Sequence, residues 1–320
     1  MTLLLDSLRL LRARRLFWVT LGISLFVALA YLSVGFTSDG WFLGFGAMSN
    51  RSEMIRAGSP FAQIWYLGLF NVIVGFWLSW GAVILALISC APVFPDFMTE
   101  GAIGVPMSKP VSRLTLFLCK YLGCILFVLL QVLVFCVVIF IAIRWRIGVW
   151  NPGVFWAVPL VTLMFSYIYS VIVLVAVKTR SVLPGLLAGI FLWGFVFLIQ
   201  MANDGLYMMT KGETADLSDA AGKSDIQWSR LHKISEGVMM ALPKTGETTR
   251  LMNRLIKVRT GLGDEEAINE AGGGGGRGDL AEAAREASVR HSPFYIIGTS
   301  LAFEAVILGL GAWIFCRRDY

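Results

Sequence analysis

Tyr121-Leu122-Gly123-Cys124-Ile125-Leu126-Phe127-Val128-Leu129-Leu130-Gln131-Val132-Leu133-Val134-Phe135-Cys136-Val137-Val138-Ile139-Phe140-Ile141-Ala142-Ile143 contains no charged side chain. A helix needs roughly 20 predominantly apolar residues to cross a hydrocarbon layer about 30 Å thick, and this run meets that length. Five other stretches do so as well, at 17–36, 65–89, 154–177, 183–202 and 295–316. The 320 residues are 57% hydrophobic and 15% charged, with a mean hydropathy of +0.73. A soluble domain is roughly 45–50% apolar and about 25% charged, so one water-soluble globule is excluded. Backbone in lipid must satisfy its own hydrogen bonds, and the alternating segments of about ten residues that build a barrel are missing. The expected fold is an all-α integral membrane protein with six transmembrane helices.

Trp18, Trp41, Trp65, Tyr66, Tyr121, Trp145, Trp150, Trp156 and Tyr295 fall near span ends. Amphipathic rings favour the headgroup zone, so they read as interfacial belts. Arg9, Arg12, Arg14 and Arg15 precede Leu16–Val27 and Ala28-Leu29-Ala30, a pattern that also resembles a cleavable secretory signal. The apolar run continues to Phe36, long enough to span, which favours retention.

Basic residues in short loops set orientation. With the N-terminus inside, the inner segments carry Arg9, Arg12, Arg14, Arg15, Lys109, Arg113, Lys120, Lys178, Arg180, Arg317 and Arg318. The two short outer loops carry Arg51, Arg56, Arg144 and Arg146. Both termini are therefore expected in the cytoplasm, in a multi-pass plasma-membrane protein. The net charge of +6 acquires meaning only through this placement, and nothing suggests a nucleic-acid partner.

The polar segment 203–292 is expected outside, between the fifth and sixth spans. It carries twelve basic and fourteen acidic residues, and a segment that long crosses largely regardless of charge. Ser224-Asp225-Ile226-Gln227 has capping-box form, and Trp228, Leu231, Ser235, Val238, Met239 and Leu242 follow at near-helical spacing up to Pro243. Leu251, Met252, Leu255 and Ile256 put a second stripe on a short helix flanked by Arg250, Arg254, Lys257 and Arg259. Such stripes either lie along the membrane interface or pack on each other as an outer cap. Gly272–Gly276 is a tether, and Asp279-Leu280-Ala281-Glu282 begins a short helix into the last span. The chain divides into 1–202, 203–292 and 293–320.

Catalytic chemistry has little to stand on. His232 and His291 have no companion at metal-ligand spacing, so no metal and no cofactor is expected in this chain. Cys90, Cys119, Cys124, Cys136 and Cys316 lie in or beside spans, and no extracytoplasmic disulfide is expected. A phosphate-binding Gly-x-x-x-x-Gly-Lys-Ser/Thr does not occur, so the chain has no visible means of hydrolysing ATP. Within the spans Glu304 is the clear ionisable residue. It should face the bundle and pair with a polar group such as Gln131, Gln200 or Asn71, either lining a translocation path or holding helices together.

The inner loop between the second and third spans, Pro92 to Arg113, mixes apolar and turn residues. Asp96 to Ile103 could form one or two helical turns, with Phe97 and Ile103 inward and Asp96 and Glu100 exposed, before Pro106 and Pro110 break the helix. A plain surface helix and a docking element both fit. Pro95-Asp96 … Glu100-Gly101 … Met107-Ser108-Lys109-Pro110-Val111-Ser112-Arg113 … Lys120-Tyr121-Leu122-Gly123 resembles the membrane subunit of ABC-2 type transporters. That family has Leu-Ser-Lys/Arg-Pro-hydrophobic-Ser-Arg … Gly-Lys-Tyr-Leu-Gly at this place, and this chain has Met107 for the Leu and Cys119 for the first Gly. Phe315-Cys316-Arg317-Arg318-Asp319 is similar to the family's ending, and the permeases grouped with multicopper-enzyme maturation are the branch it most suggests.

The resemblance implies the permease half of an ATP-driven exporter. It implies pairing with a second permease, identical or not, and with a separate ATPase subunit that holds ATP and Mg. It also implies an interfacial elbow helix before the first span, a role suited to Leu4, Leu8 and Leu11 beside Arg9 and Arg12. Asp96, Phe97, Glu100 and Gly101, with Lys109, Pro110 and Arg113, would form the ATPase-coupling loop; the basic residues would serve equally as headgroup anchors. An ion-coupled carrier or channel acting alone is the alternative, and a membrane-embedded enzyme using Glu304 is a weaker third.

Overall fold

A computed structural model describes residues 15–52, 54–98, 112–216, 237, 242–256 and 292–317, with the side chains of 60, 204 and 206–216 excepted. Among the described residues six helices are long and apolar enough to cross a membrane. The chain is a mostly helical, multi-pass membrane protein. The first span is α1 (Arg15–Ser33). It stops short of the expected 36 because Gly35 opens a three-stranded antiparallel sheet of β1 (Gly35–Thr37), β2 (Gly40–Leu43) and β3 (Met48–Arg51). Phe36 pairs with Trp41, and Trp41 with Asn50. At Gly40 a β-carbon would collide with the Asn50 carbonyl, so the tight crossing requires glycine there.

The second span, Phe61–Phe97, exceeds the expected 65–89 at both ends. It comprises α2 (Pro60–Leu69), two π-helical stretches (Phe70–Gly75 and Trp77–Gly81), α3 (Ala82–Cys90) and α4 (Val93–Phe97). Ser59 caps its start by accepting the Ala62 N–H at 3.1 Å. Within the π-helical part, the Ser79 hydroxyl donates to the Gly75 carbonyl at 2.7 Å and competes with the regular ladder.

The third span, α5 (Arg113–Ile147), has 35 residues and is about 52 Å long, so it overhangs a ~30 Å hydrocarbon layer. Ser112 caps it by accepting the Thr115 N–H at 3.1 Å, and Gly148 ends it at φ 81°. At that end the Arg146 guanidinium donates to the Leu32 carbonyl at 3.0 Å and lies 5.1 Å from the Phe42 ring, tying the sheet to the bundle.

A 3₁₀ turn, Pro152–Trp156, leads into α6 (Ala157–Thr179), the centre of the bundle. Its neighbours include α3, α4, α5, α7 (Val182–Asp216) and α9 (Pro293–Arg317), which explains why most of its side chains are buried. The apolar part of α7, Val182–Asn203, is the fifth span, and its helix runs on past the expected limit of 202; α9 is the sixth.

The stripe at Leu251, Met252, Leu255 and Ile256 belongs to α8 (Thr245–Ile256). Leu251, Met252 and Ile256 are buried, and α8 packs on α6, α7, α9 and the Pro152–Trp156 turn. Asn151 Nδ2 donates to the Ile256 carbonyl at 3.0 Å, and the Lys244 ammonium sits 3.5 Å from the Tyr295 ring centre. The expected elbow helix, the 224–228 helix start, the glycine tether and the turn at 279–282 lie outside the described residues.

Candidate functional site

Glu304 sits on the buried face of α9, in a polar knot among three spans. The Tyr121 hydroxyl on α5 donates to Oε1 at 2.7 Å and Ser166 on α6 donates to Oε2 at 2.8 Å. Each hydroxyl also lies within reach of a carbonyl: Tyr121 to Ser166 O at 3.0 Å, Ser166 Oγ to Leu163 O at 2.8 Å. Tyr169 extends the knot. Its ring stacks on Tyr121 with centroids 5.5 Å apart, and its hydroxyl reaches the Cys90 carbonyl of α3 at 3.1 Å and Cys124 Sγ at 3.2 Å. A polar group left unpaired in an apolar interior is costly, and the carboxyl here meets that demand with hydroxyls.

The expected partners of Glu304 lie elsewhere. Gln131 donates from Nε2 to Ser24 Oγ at 2.9 Å and joins α5 to α1. Gln200 Oε1 accepts the Gly246 N–H at 2.9 Å, taking one of the amide donors that a helix start leaves open. Asn71 is exposed on the second span. Spacing showed which residues are polar, whereas the pairing depends on rotations of helices about each other. Tyr66 and Tyr121 also depart from expectation. They are 0% and 2% exposed, so they belong to the core rather than to an interfacial belt.

At the end of the bundle formed by α4, the start of α5 and the end of α9, aromatic rings make a collar. Phe97 is buried and stacks on Phe315 at 6.3 Å, and Phe117 meets both Phe94 (5.1 Å) and Phe315 (5.7 Å). The Lys120 ammonium lies 5.1 Å from the Phe97 ring, an attractive placement over its π-face. Arg113 Nη1 donates to the Cys316 carbonyl at 3.3 Å, closing the last turn of α9. Asp96 is exposed, as the loop pattern suggested, while Glu100, Gly101, Lys109 and Pro110 fall outside the described residues.

A third feature escaped the sequence reading. Trp80 stacks on Trp193 with centroids 4.7 Å apart and meets Phe197 edge-on at 5.3 Å. They line a cavity of about 420 Å³ between the second span, α7 and α8. Trp193, Phe197, Gln200 and Met201 recur at one-face helical spacing, the signal from which it was legible. Among the described residues no group of three or more histidine, cysteine or acidic side chains could hold a metal ion. The chain matches no family model, no curated protein and no solved structure.

Proposed function

We propose that this chain is the membrane-spanning subunit of an ABC-2 type transporter, an exporter driven by ATP hydrolysis on a separate subunit. The observation that carries the reading is the position of Phe97. The run resembling the family's coupling region begins on α4, and Phe97 there is wedged against Lys120 of α5 and Phe315 of α9. A push on the loop beyond it would reach two spans at once. Glu304 lies eleven residues before Phe315 on α9, about 16 Å along the axis, and binds α5 and α6. Motion at the collar would thus reach the centre of the bundle as a rigid-body tilt.

In this reading the collar faces the cytoplasm, in keeping with the basic residues around it, and the sheet and α8 face outward. Asp96 and Glu100 would contact the ATPase, two copies of the permease would pair in the plasma membrane, and ATP and Mg would stay on the partner. The decisive experiment is affinity purification of the tagged chain from its native membranes. The expected result is a co-purifying ATPase, with ATP hydrolysis in the complex, lost on Asp96→Ala plus Glu100→Ala while the chain stays folded. Transport by liposomes containing this chain alone, without ATP, would establish the carrier reading instead. Labelling of Glu100→Cys from outside intact cells would place the loop on the wrong side for an ATPase.

A further inference from the structure

We propose that the β2–β3 turn, Leu43 to Met48, is an anchor inserted into the headgroup and acyl boundary of the bilayer that the first span crosses. The inference needs no ATPase and does not depend on which side of the membrane the sheet occupies. It starts from register. α1 ends at Ser33, and β1 begins two residues later at Gly35 and leads away from the span. Phe42 of antiparallel β2 pairs with Gly35, so the next two residues, Leu43 and Gly44, return to the level of Val34 and Ser33. The Gly44 N–H donates to Ser33 Oγ at 3.4 Å, which holds the turn beside the end of α1.

The height of that turn follows from α5. Lys120 and Arg144 bracket 23 residues without a charge, about 35 Å of helix, which matches a hydrocarbon layer of about 30 Å. Arg146 stands two residues further on, where its guanidinium donates to the Leu32 carbonyl and lies against the Phe42 ring. Phe42, the residue just before the turn, therefore sits at headgroup height. Trp145 and Trp150 are exposed near the same end of α5, where interfacial aromatics belong.

The sheet is polarised along the same direction. Its far end is the β1–β2 turn with Ser38 and Asp39, level with Asn50 and Arg51, since Arg51 pairs with Gly40. Its near end holds Leu43, Phe45 and Met48, which are 41%, 61% and 68% exposed, and Leu43 pairs with Met48. Large apolar side chains left uncovered at the lipid end, with polar ones at the far end, are what an interfacial segment needs; such segments enter the boundary by about 5–10 Å. The backbone gives a second, independent reason. Phe45 has φ 58° between Gly44 at 66° and Gly46 at 105°, a left-handed conformation that bulky residues rarely adopt. Glycine would make this turn without strain, so the ring is held there at a conformational cost. Burial of the ring in lipid offsets that cost.

The test uses the full chain in phosphatidylcholine nanodiscs. Phe45→Cys, Met48→Cys and, as the far-end reference, Asp39→Cys are labelled with a thiol-reactive fluorophore. Each signal is taken as the excess over the labelled unaltered chain, which carries five cysteines. Met48 lies in β3 with ordinary strand backbone, so it carries the test even if the change at Phe45 disturbs the turn. Phosphatidylcholine with a nitroxide near the headgroup should quench the labels at 45 and 48 roughly threefold or more over the label at 39, and aqueous iodide should show the reverse order. Iodide quenching at 45 and 48 equal to that at 39, without preference for the nitroxide lipid, would put the turn in water and overturn the proposal. Protection of both labels from both quenchers would mean that protein covers the turn, a second copy or another chain, and would overturn it as well.

Discussion

Glu304 Oε1 and the Tyr121 hydroxyl lie 2.7 Å apart although 183 residues separate them in the chain. The contact joins the sixth span to the third, and Ser166 on the other carboxyl oxygen adds the fourth. Glu304→Leu would remove the carboxyl that links two buried hydroxyls across the spans and leave them only the Ser166 and Leu163 carbonyls, at a cost of about 1 kcal/mol for each hydrogen bond lost. The expected result is a clear fall in Tm in detergent. Glu304→Gln retains an acceptor oxygen and should fall less. Equal Tm for all three proteins would mean the knot does not hold the bundle together.

Phe97 and Asp96 are neighbours with opposite surroundings, one buried under Lys120 and the other exposed. Phe97→Ala removes a packed ring, so about 3–5 kcal/mol of stability should be lost and the chain should unfold earlier in denaturant. Asp96→Ala should leave the unfolding midpoint within error while weakening attachment of the proposed ATPase. The pair separates what the loop does for the fold from what it does for a partner.

Helix α8 should behave as a detachable clasp. Asn151→Ala removes the hydrogen bond to the Ile256 carbonyl, and Met252→Ala opens a gap where Met252 is 2% exposed. Each change should raise the rate of limited proteolysis between 245 and 256 severalfold, since local opening follows local stability. The double variant should be the most susceptible.

Gly148 ends α5 at φ 81°, a region that costs an L-residue with a β-carbon about 1–2 kcal/mol. Gly148→Ala should therefore lower Tm, although nothing lies within 3.4 Å of the added carbon. Gly22→Ala, in a regular helix with open space around it, serves as the control and should have little effect.

The spans were legible because each needs only length and apolarity, both local properties of a run such as 121–143. Ends were less so. Ser33 rather than Phe36 ends the first helix because three- and four-residue strands follow, too short for an alternation to be noticed. The second span was underestimated because Ser59 and Pro60 start it before its most apolar part. Glu304 was recognisable as the one acid in the apolar segments, but its partners were not. A tyrosine such as Tyr121, placed near a predicted span end, reads as an interfacial anchor until α5 proves to begin eight residues earlier, at Arg113. The stripe of α8 was seen, but its destination was a bundle surface that exists only after α6, α7 and α9 have assembled.

Gly185 and Gly189 of α7 face α6, where a β-carbon on the first would come within 3.1 Å of the Ile172 carbonyl and one on the second would collide with the Ile172 side chain. So close a fit leaves no room for one helix to slide or roll on the other. The fourth and fifth spans must travel as a welded plank, and any alternation between open and closed shapes has to find its hinge at another seam.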